Sequence, residues 1–191
     1  MRYFPVLLDV KDKPCVVVGA GMVAQRKAAA LLKARARVIV VSPVLCAGLR
    51  RLAAQGKITA RRQAYRPAYV RGARLVIAAT SDPCVNARVS RDCLRAGIPV
   101  NVVDDPARCS FIVPAVAEKD GLIIAVSTSG QAPALSKKIS RDLVPLIRRQ
   151  YLPLLRKVRA ARLRLKAQGT GFVRRRKILT AMVCARAKGK S

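Results

Sequence analysis

The chain has 191 residues, 39 Lys and Arg against 9 Asp and Glu, no His, and a formal net charge of +30. At this length it can bury one full core and carry a small second domain, and 52% apolar residues with a mean hydropathy of +0.19 exclude a disordered chain. No apolar run approaches the ~20 residues of a membrane span, and Asp9 interrupts an apolar start too short for a signal peptide, so the expectation is a soluble, cytoplasmic protein.

In chain order, residues 3–10 read as a short strand or extended arm ending at the Asp12-Lys13-Pro14 turn. Strand Cys15–Val18 follows, then a helix from about Met22 to Lys33. Val38–Val41 is a continuous β-branched run, the pattern of a strand buried on both faces of a parallel sheet. Leu45–Gln55 reads as a helix closed by Gly56. A weak strand near Ile58–Ala64 and a short helical turn at Pro67–Arg71 come next. Leu75–Ala79 is a further buried strand, and Ser81 or Asp82 then caps a helix with Pro83 in its first position. Val85, Val89 and Cys93 share one face of that helix, Gly97 ends it, and Pro99–Val103 is the next strand. Strands alternating with helices of 10 to 15 residues argue for a doubly wound parallel sheet.

The rhythm changes beyond residue 113. Leu122–Val126 reads as a strand, followed by a Ser-Thr-Ser-Gly loop and a helix from about Ala134. Tyr151, Leu155, Val158, Ala161 and Leu165 recur at helical spacing, so a second amphipathic helix with a basic outer face is expected. Gly169-Thr-Gly171 separates it from a last basic helical stretch, and the tail after Ala187 is expected to fray.

Six cysteines stand at 15, 46, 84, 93, 109 and 184 with no Cys-x-x-Cys pair, which argues against a structural zinc site. Reduced thiols are expected, with Cys15 and Cys93 buried as small hydrophobes. Residues 143–191 contain 15 basic residues and no acid. Nucleic-acid binding, affinity for a polyanionic small molecule and drift toward arginine all account for such a bias, which bears on partners and not on fold.

The chemistry centres on Gly19-x-Gly21-x-x-Ala24 between a buried strand and a helix. There Gly19 permits a tight turn, Gly21 lets the backbone approach a dinucleotide pyrophosphate, and Ala24 lets helix and strand pack closely. The alternative is a glycine turn that binds nothing. Gly21, Ser42, Thr80 and Asp104 all follow strand ends, where ligands of open α/β sheets lie. The acid that ordinarily holds the ribose hydroxyls is missing from Val41-Ser42-Pro43-Val44, which leaves ribose to Ser42 or backbone groups. Arg35 and Arg37 lie nearby in sequence, which weakens any preference for NAD over NADP. Asp104 and Asp105 fit a general base or a metal ligand on one reading and a solvated Asp-Pro turn on the other. Ser127–Gly130 fits either an anion loop or plain helix capping.

These residues form ordered blocks: Phe4–Asp9, Val18–Ala24 with Arg26-Lys27, Ala78–Thr80 followed by Asn86, Asn101–Asp104 with Cys109–Pro114, and Ser127–Ala134. In them the chain resembles the precorrin-2 dehydrogenase / sirohydrochlorin ferrochelatase family of sirohaem biosynthesis. The resemblance implies an N-terminal Rossmann domain (1–113), a central α/β dimerisation and substrate-binding segment (114–149) and a C-terminal helical domain (150–191). It implies a homodimer that oxidises precorrin-2 to sirohydrochlorin with NAD⁺, some members also inserting Fe²⁺. Asp104 falls on the family's key carboxylate, as proton acceptor when hydride leaves. Gly19, Gly21, Met22, Val23, Ser42, Pro43, Val44 and Thr80 become the cofactor contacts, and Asn101, Ser127, Thr128, Ser129 and Gly130 the substrate contacts, with no resident metal. Eight substrate carboxylates suit a basic crevice and a hydroxyl-rich loop. Gln131 and Ala132 depart from a common glycine-and-serine pair. The methyltransferase domain of sirohaem synthase is absent, so precorrin-2 is expected from another protein. The alternative function is a basic nucleotide- or nucleic-acid-binding module, against which the 4% aromatic content counts.

Overall fold

The β-branched runs that carry no polar residue become the inner strands of one parallel sheet, because only strands covered on both faces tolerate such sequences. The computed structural model describes residues 3–184. The chain falls into two compact units, the first ending at Val113 and the second starting at Pro114.

In the first unit, β1 (Pro14–Val18), β2 (Arg37–Val41), β3 (Thr59–Arg61), β4 (Leu75–Ala78) and β5 (Val100–Val102) stand in the order β3-β2-β1-β4-β5. Every neighbouring pair is parallel, with Val18 beside Val41 and Ala78, and Val41 beside Arg61. Alternate strand residues feed two cores. Val17, Val38 and Val40 pack with Ala24, Ala28 and Leu31 of α1 (Met22–Lys33) and Leu49 of α2 (Ala47–Ala54). Val16, Val18, Val76 and Val100 pack with Val89 and Cys93 of α3 (Pro83–Arg95). Cys15 and Cys93 are fully buried, as expected of small apolar thiols.

Asp82, not Ser81, caps α3: its Oδ1 accepts from the Cys84 and Val85 N–H groups at 2.8 and 3.2 Å. Two expected elements are shorter than their sequence patterns. The helix after β2 is Ala47–Ala54, and the weak strand contracts to Thr59–Arg61. Residues 4–9 form no strand, and Phe4, Val6 and Leu7 are exposed.

In the second unit, β6 (Ala115–Lys119) and β7 (Leu122–Val126) form an antiparallel hairpin. Asp120 (φ 50) and Gly121 (φ 84) turn it, the positive-φ pair that a two-residue hairpin needs. Helix α4 (Pro133–Leu146) contains Pro145, which removes a helical donor, and the chain passes into a π-helical turn at Ile147–Tyr151 before α5 (Leu152–Ala167). Tyr151 therefore stands in the π turn and is half exposed, whereas Leu155, Val158, Ala161 and Leu165 lie partly buried on α5 as their spacing predicts. Arg156 of α5 pairs with Asp120 of the hairpin turn at 2.5 Å. Helix α6 (Phe172–Cys184) buries no residue fully. Among the described residues no helix is long and apolar enough to cross a membrane. The expected fraying after Ala187 lies outside the described residues.

Candidate functional site

The carboxyl ends of β1, β2, β4 and β5 are tied together by main-chain bonds that continue the sheet. Gly19 N–H donates to Val41 O (2.9 Å), Ala79 N–H to Val18 O (2.8 Å) and Val103 N–H to Ala78 O (2.9 Å). Gly19 has φ +108, and a Cβ there would lie 2.3 Å from the Ala79 carbonyl oxygen. Only glycine fits, because both the backbone conformation and the space exclude a side chain. Gly21 differs. It is the N-cap of α1 with an extended backbone (φ −79, ψ −172), no side-chain cap, and nothing within 4 Å of a Cβ. The first-turn N–H groups of α1 have no intrahelical partners, and no acid stands in that turn. Helix dipole and free donors together make an anion site. The donor set and the open approach at Gly21 fit a dinucleotide pyrophosphate.

The loop after β2 forms a second wall. Ser42 N–H donates to Arg61 O (3.1 Å), and its hydroxyl donates to Val44 O (2.9 Å). Cys46 N–H reaches Ala20 O at 3.1 Å, which binds this loop to the glycine turn, and Cys46 Sγ donates to Gln25 Oε1 (3.3 Å). Met22 and Val44 are 82% and 74% exposed, so apolar side chains flank the glycines with no packing partner to hold them elsewhere. Pro43 is exposed and Val23 half-buried. Arg35 and Arg37 do not belong here. Arg37 pairs with Pro14 at the amino end of β2 and its Nε donates to Asp12 O, at the far edge of the sheet.

Thr80 follows β4, where Asn86 of α3 clamps it. Asn86 Oδ1 accepts from Thr80 N–H (3.2 Å) while its Nδ2 donates to Thr80 O (3.0 Å). The Thr80 hydroxyl lies 2.8 Å from Asn86 Oδ1 and 2.9 Å from Asp82 O, two acceptors for one proton. Thr80 is thus held by its neighbours, and Asn86, to which the sequence assigned no role, does the holding.

The two aspartates after β5 differ in their partners. Asp105 caps the 3₁₀ turn Pro106–Arg108 and pairs with Arg108, whose guanidinium holds its carboxyl below the usual range. Asp104 has φ 60, a left-handed conformation that Asp tolerates better than most residues. Its carboxylate is exposed and has no hydrogen-bond or ion-pair partner among the described residues.

Asn101, expected as a substrate contact, is engaged within the first unit. It is 8% exposed, and its Nδ2 donates to Phe111 O (3.1 Å) and toward Cys109 Sγ (3.5 Å). Cys109 Sγ in turn accepts from Val102 N–H (3.1 Å), and Ser110 Oγ from Val100 N–H (2.8 Å). Asn101, Cys109 and Ser110 fasten residues 109–111 along β5, and burial pushes the Cys109 thiol pKa up.

In the second unit, the loop after β7 is ordered by its own hydroxyls. Ser127 Oγ accepts from Ser129 N–H (3.0 Å), and Thr128 Oγ1 accepts from Ala132 N–H (2.9 Å) and lies 3.3 Å from Ser136 Oγ. Ser129 (φ 55) and Gly130 (φ 88) make the turn. Thr128 thus braces the loop ahead of α4, which has no side-chain cap, whereas Ser127, Ser129 and Gly130 are exposed. The same unit has a groove of about 420 Å³ between α5 and α6, floored by Val158, Phe172 and Leu179 and edged by Arg162, Arg175 and Arg176. Among the described residues no group of three or more His, Cys, Asp or Glu side chains could hold a metal ion.

Residues 6–115, which contain the glycine turn, Ser42, Thr80 and Asp104, match the family model described as putative NAD(P)-binding. The chain is 44% identical over 151 residues to the siroheme synthase of Methylobacillus flagellatus, covering 79% of this chain and 32% of that protein. The chain belongs to this putative NAD(P)-binding family. Siroheme synthase 1 of Aeromonas salmonicida matches over all 191 residues at 37% identity, covering 41% of its own length. The chain thus spans about a third of the curated sirohaem synthases it matches. A solved structure, SirC, precorrin-2 dehydrogenase, superposes with a TM-score of 0.79 at 25% identity, covering 95% of this chain and 89% of that one. The family fold therefore extends beyond the NAD(P)-binding residues into the second unit.

Proposed function

We propose that the chain oxidises precorrin-2 to sirohydrochlorin with NAD⁺ as hydride acceptor. The observation that carries this reading is the pairing of an open glycine turn with a free carboxylate, Asp104, at the carboxyl edge of one sheet. The similarity to SirC and the sirohaem synthases supports the substrate.

When bound, the nicotinamide supplies a two-electron acceptor for one hydride. The oxidation removes two electrons and two protons from the macrocycle: one proton travels with the electrons as hydride, and Asp104 accepts the other. A carboxylate with no partner of its own is free to act as a base. Backbone N–H groups at Gly21 and the first turn of α1 would hold the pyrophosphate. Met22, Val23, Pro43, Val44 and Thr80 would line the nucleotide, and Ser42 would meet the ribose through its backbone. Ser127, Thr128, Ser129 and Gly130 are the residues we assign to substrate carboxylates, where hydroxyl and N–H donors suit anions.

Incubation with precorrin-2 and NAD⁺ without oxygen should produce the sirohydrochlorin absorbance spectrum. If substrate persists while the protein binds NAD⁺, the reading is wrong. Fe²⁺ insertion into the product is tested in the same vessel, by the rate of sirohaem formation with and without protein.

We propose a homodimer as well, supported by the outer face of the hairpin. Val116 and Ile123 are 56% and 46% exposed there, and a two-stranded sheet is marginal unless something covers it. Light scattering should give twice the chain mass, and Val116→Glu should give the monomer.

A further inference from the structure

We propose that the nucleotide site also takes the 2′-phosphorylated dinucleotide, NADP⁺, and that Arg61 and Arg62 hold its 2′-phosphate. This rests on the nucleotide reading above and adds a specificity that neither the motif nor the relatives assign. A dinucleotide turn rejects the 2′-phosphate with a carboxylate at the end of the second strand, and admits it where an arginine stands nearby. Here the loop after β2 is Ser42-Pro43-Val44, with no carboxylate. The Ser42 hydroxyl, moreover, is directed to its own loop at Val44 O.

The cation comes from the neighbouring strand. Arg61 is the register partner of Val41, the last residue of β2, and its carbonyl accepts the Ser42 N–H at 3.1 Å. The backbone of β3 thus delivers an arginine to the residue where the acid is missing. Its guanidinium carbon lies 5.6 Å from the centre of the Tyr69 ring. A cation–π contact of this kind orients a guanidinium while leaving N–H donors for the paired contacts that phosphate accepts. Arg62 is exposed and has no acidic partner among the described residues. Arg61 likewise has no acidic partner among the described residues.

General basicity would favour any extra phosphate, so the test must separate position from charge. Titration calorimetry with ADP, 2′,5′-ADP and 3′,5′-ADP does so, because the last two carry the same charge at different ribose positions. We expect 2′,5′-ADP to bind at least roughly tenfold more tightly than either of the others. Arg61→Ala with Arg62→Ala should abolish that advantage and leave ADP within about twofold. Arg61→Lys, which keeps the charge but loses the paired geometry, should give an intermediate value. Equal affinity for the two bisphosphates overturns the proposal, as does an advantage that survives the double substitution. Binding of ADP and NAD⁺ with no gain from the 2′-phosphate sinks this inference alone. Failure of every nucleotide, NAD⁺ included, sinks the nucleotide reading and this inference with it.

Discussion

Substituting alanine at the two glycines of the turn, one at a time, separates folding from binding. At Gly19 the backbone has φ +108 and a Cβ would sit 2.3 Å from the Ala79 carbonyl oxygen and 2.9 Å from the Thr80 nitrogen. Holding alanine in that conformation costs about 1–3 kcal/mol. Moving backbone out of the way costs about 1–3 kcal/mol more, because the obstruction is main chain and not a flexible side-chain end. Gly19→Ala should therefore lower stability by about 2–6 kcal/mol, a fall of roughly 5–20 °C in melting temperature for a chain this size. At Gly21 the backbone suits any residue and the added methyl meets nothing. Gly21→Ala should cost at most about 1 kcal/mol as a poorer N-cap, and the melting temperature should barely move. The methyl would occupy the space the phosphates need, however, so NAD⁺ affinity should fall at least roughly tenfold, the loss of one charge-assisted bond or more. Thermal melting paired with NAD⁺ calorimetry on both variants decides the matter. If Gly21→Ala binds NAD⁺ like the parent, the pyrophosphate does not lie on this helix end. If Gly19→Ala melts with the parent, the steric account is wrong.

Asp104→Asn should reduce kcat/KM for precorrin-2 oxidation by about 10²–10⁴ while leaving NAD⁺ affinity and melting temperature unchanged, since Asn tolerates φ 60 as Asp does. Full activity in that variant would remove Asp104 from the chemistry. Asn86→Ala strips both main-chain partners from Thr80 and should cost about 1–3 kcal/mol in urea unfolding; an unchanged midpoint would show that the loop holds without the clamp. Stability should fall in alkali. Burial, aided by the Asp92 charge, pushes the Cys93 thiol from its ordinary 9.0 up to about 12. Between those values the unfolded chain loses a proton that the native state keeps, so the stability present below pH 9 is lost as pH rises through the window. Cys93→Ala should flatten the urea midpoint against pH, and an equal decline in both proteins would refute the assignment.

Local pattern carries the inner strands and their helices. Cys15–Val18, Val38–Val41 and Leu75–Ala79 are apolar runs that only a doubly covered strand accommodates, and α1 repeats apolar residues at Ala24, Ala28 and Leu31 to lie against them. Strand β6 was not visible, because Ala, Glu and Lys have weak strand preference and its pairing with β7 supplies the structure. Arg35 and Arg37 mislead for a related reason. They are close to Ser42 along the chain but stand at the opposite end of a strand, whereas Arg61, about twenty residues away, is brought beside Ser42 by β2–β3 pairing. Sequence separation measures distance along a strand well and across a sheet not at all. Asp104 and Asp105 are equivalent by composition, and only the Arg108 pair and the 3₁₀ cap show which is committed to the turn.

Cys109 and Ser110 have a consequence for solution behaviour. Strand β5 is the last of its sheet, and its outward N–H groups at Val100 and Val102 would otherwise template a strand from another molecule. A hydroxyl and a thiol cover both. This rim of the sheet is thus sealed by two small side chains instead of another strand, so Ser110→Ala together with Cys109→Ala should make the chain form β-rich aggregates on warming.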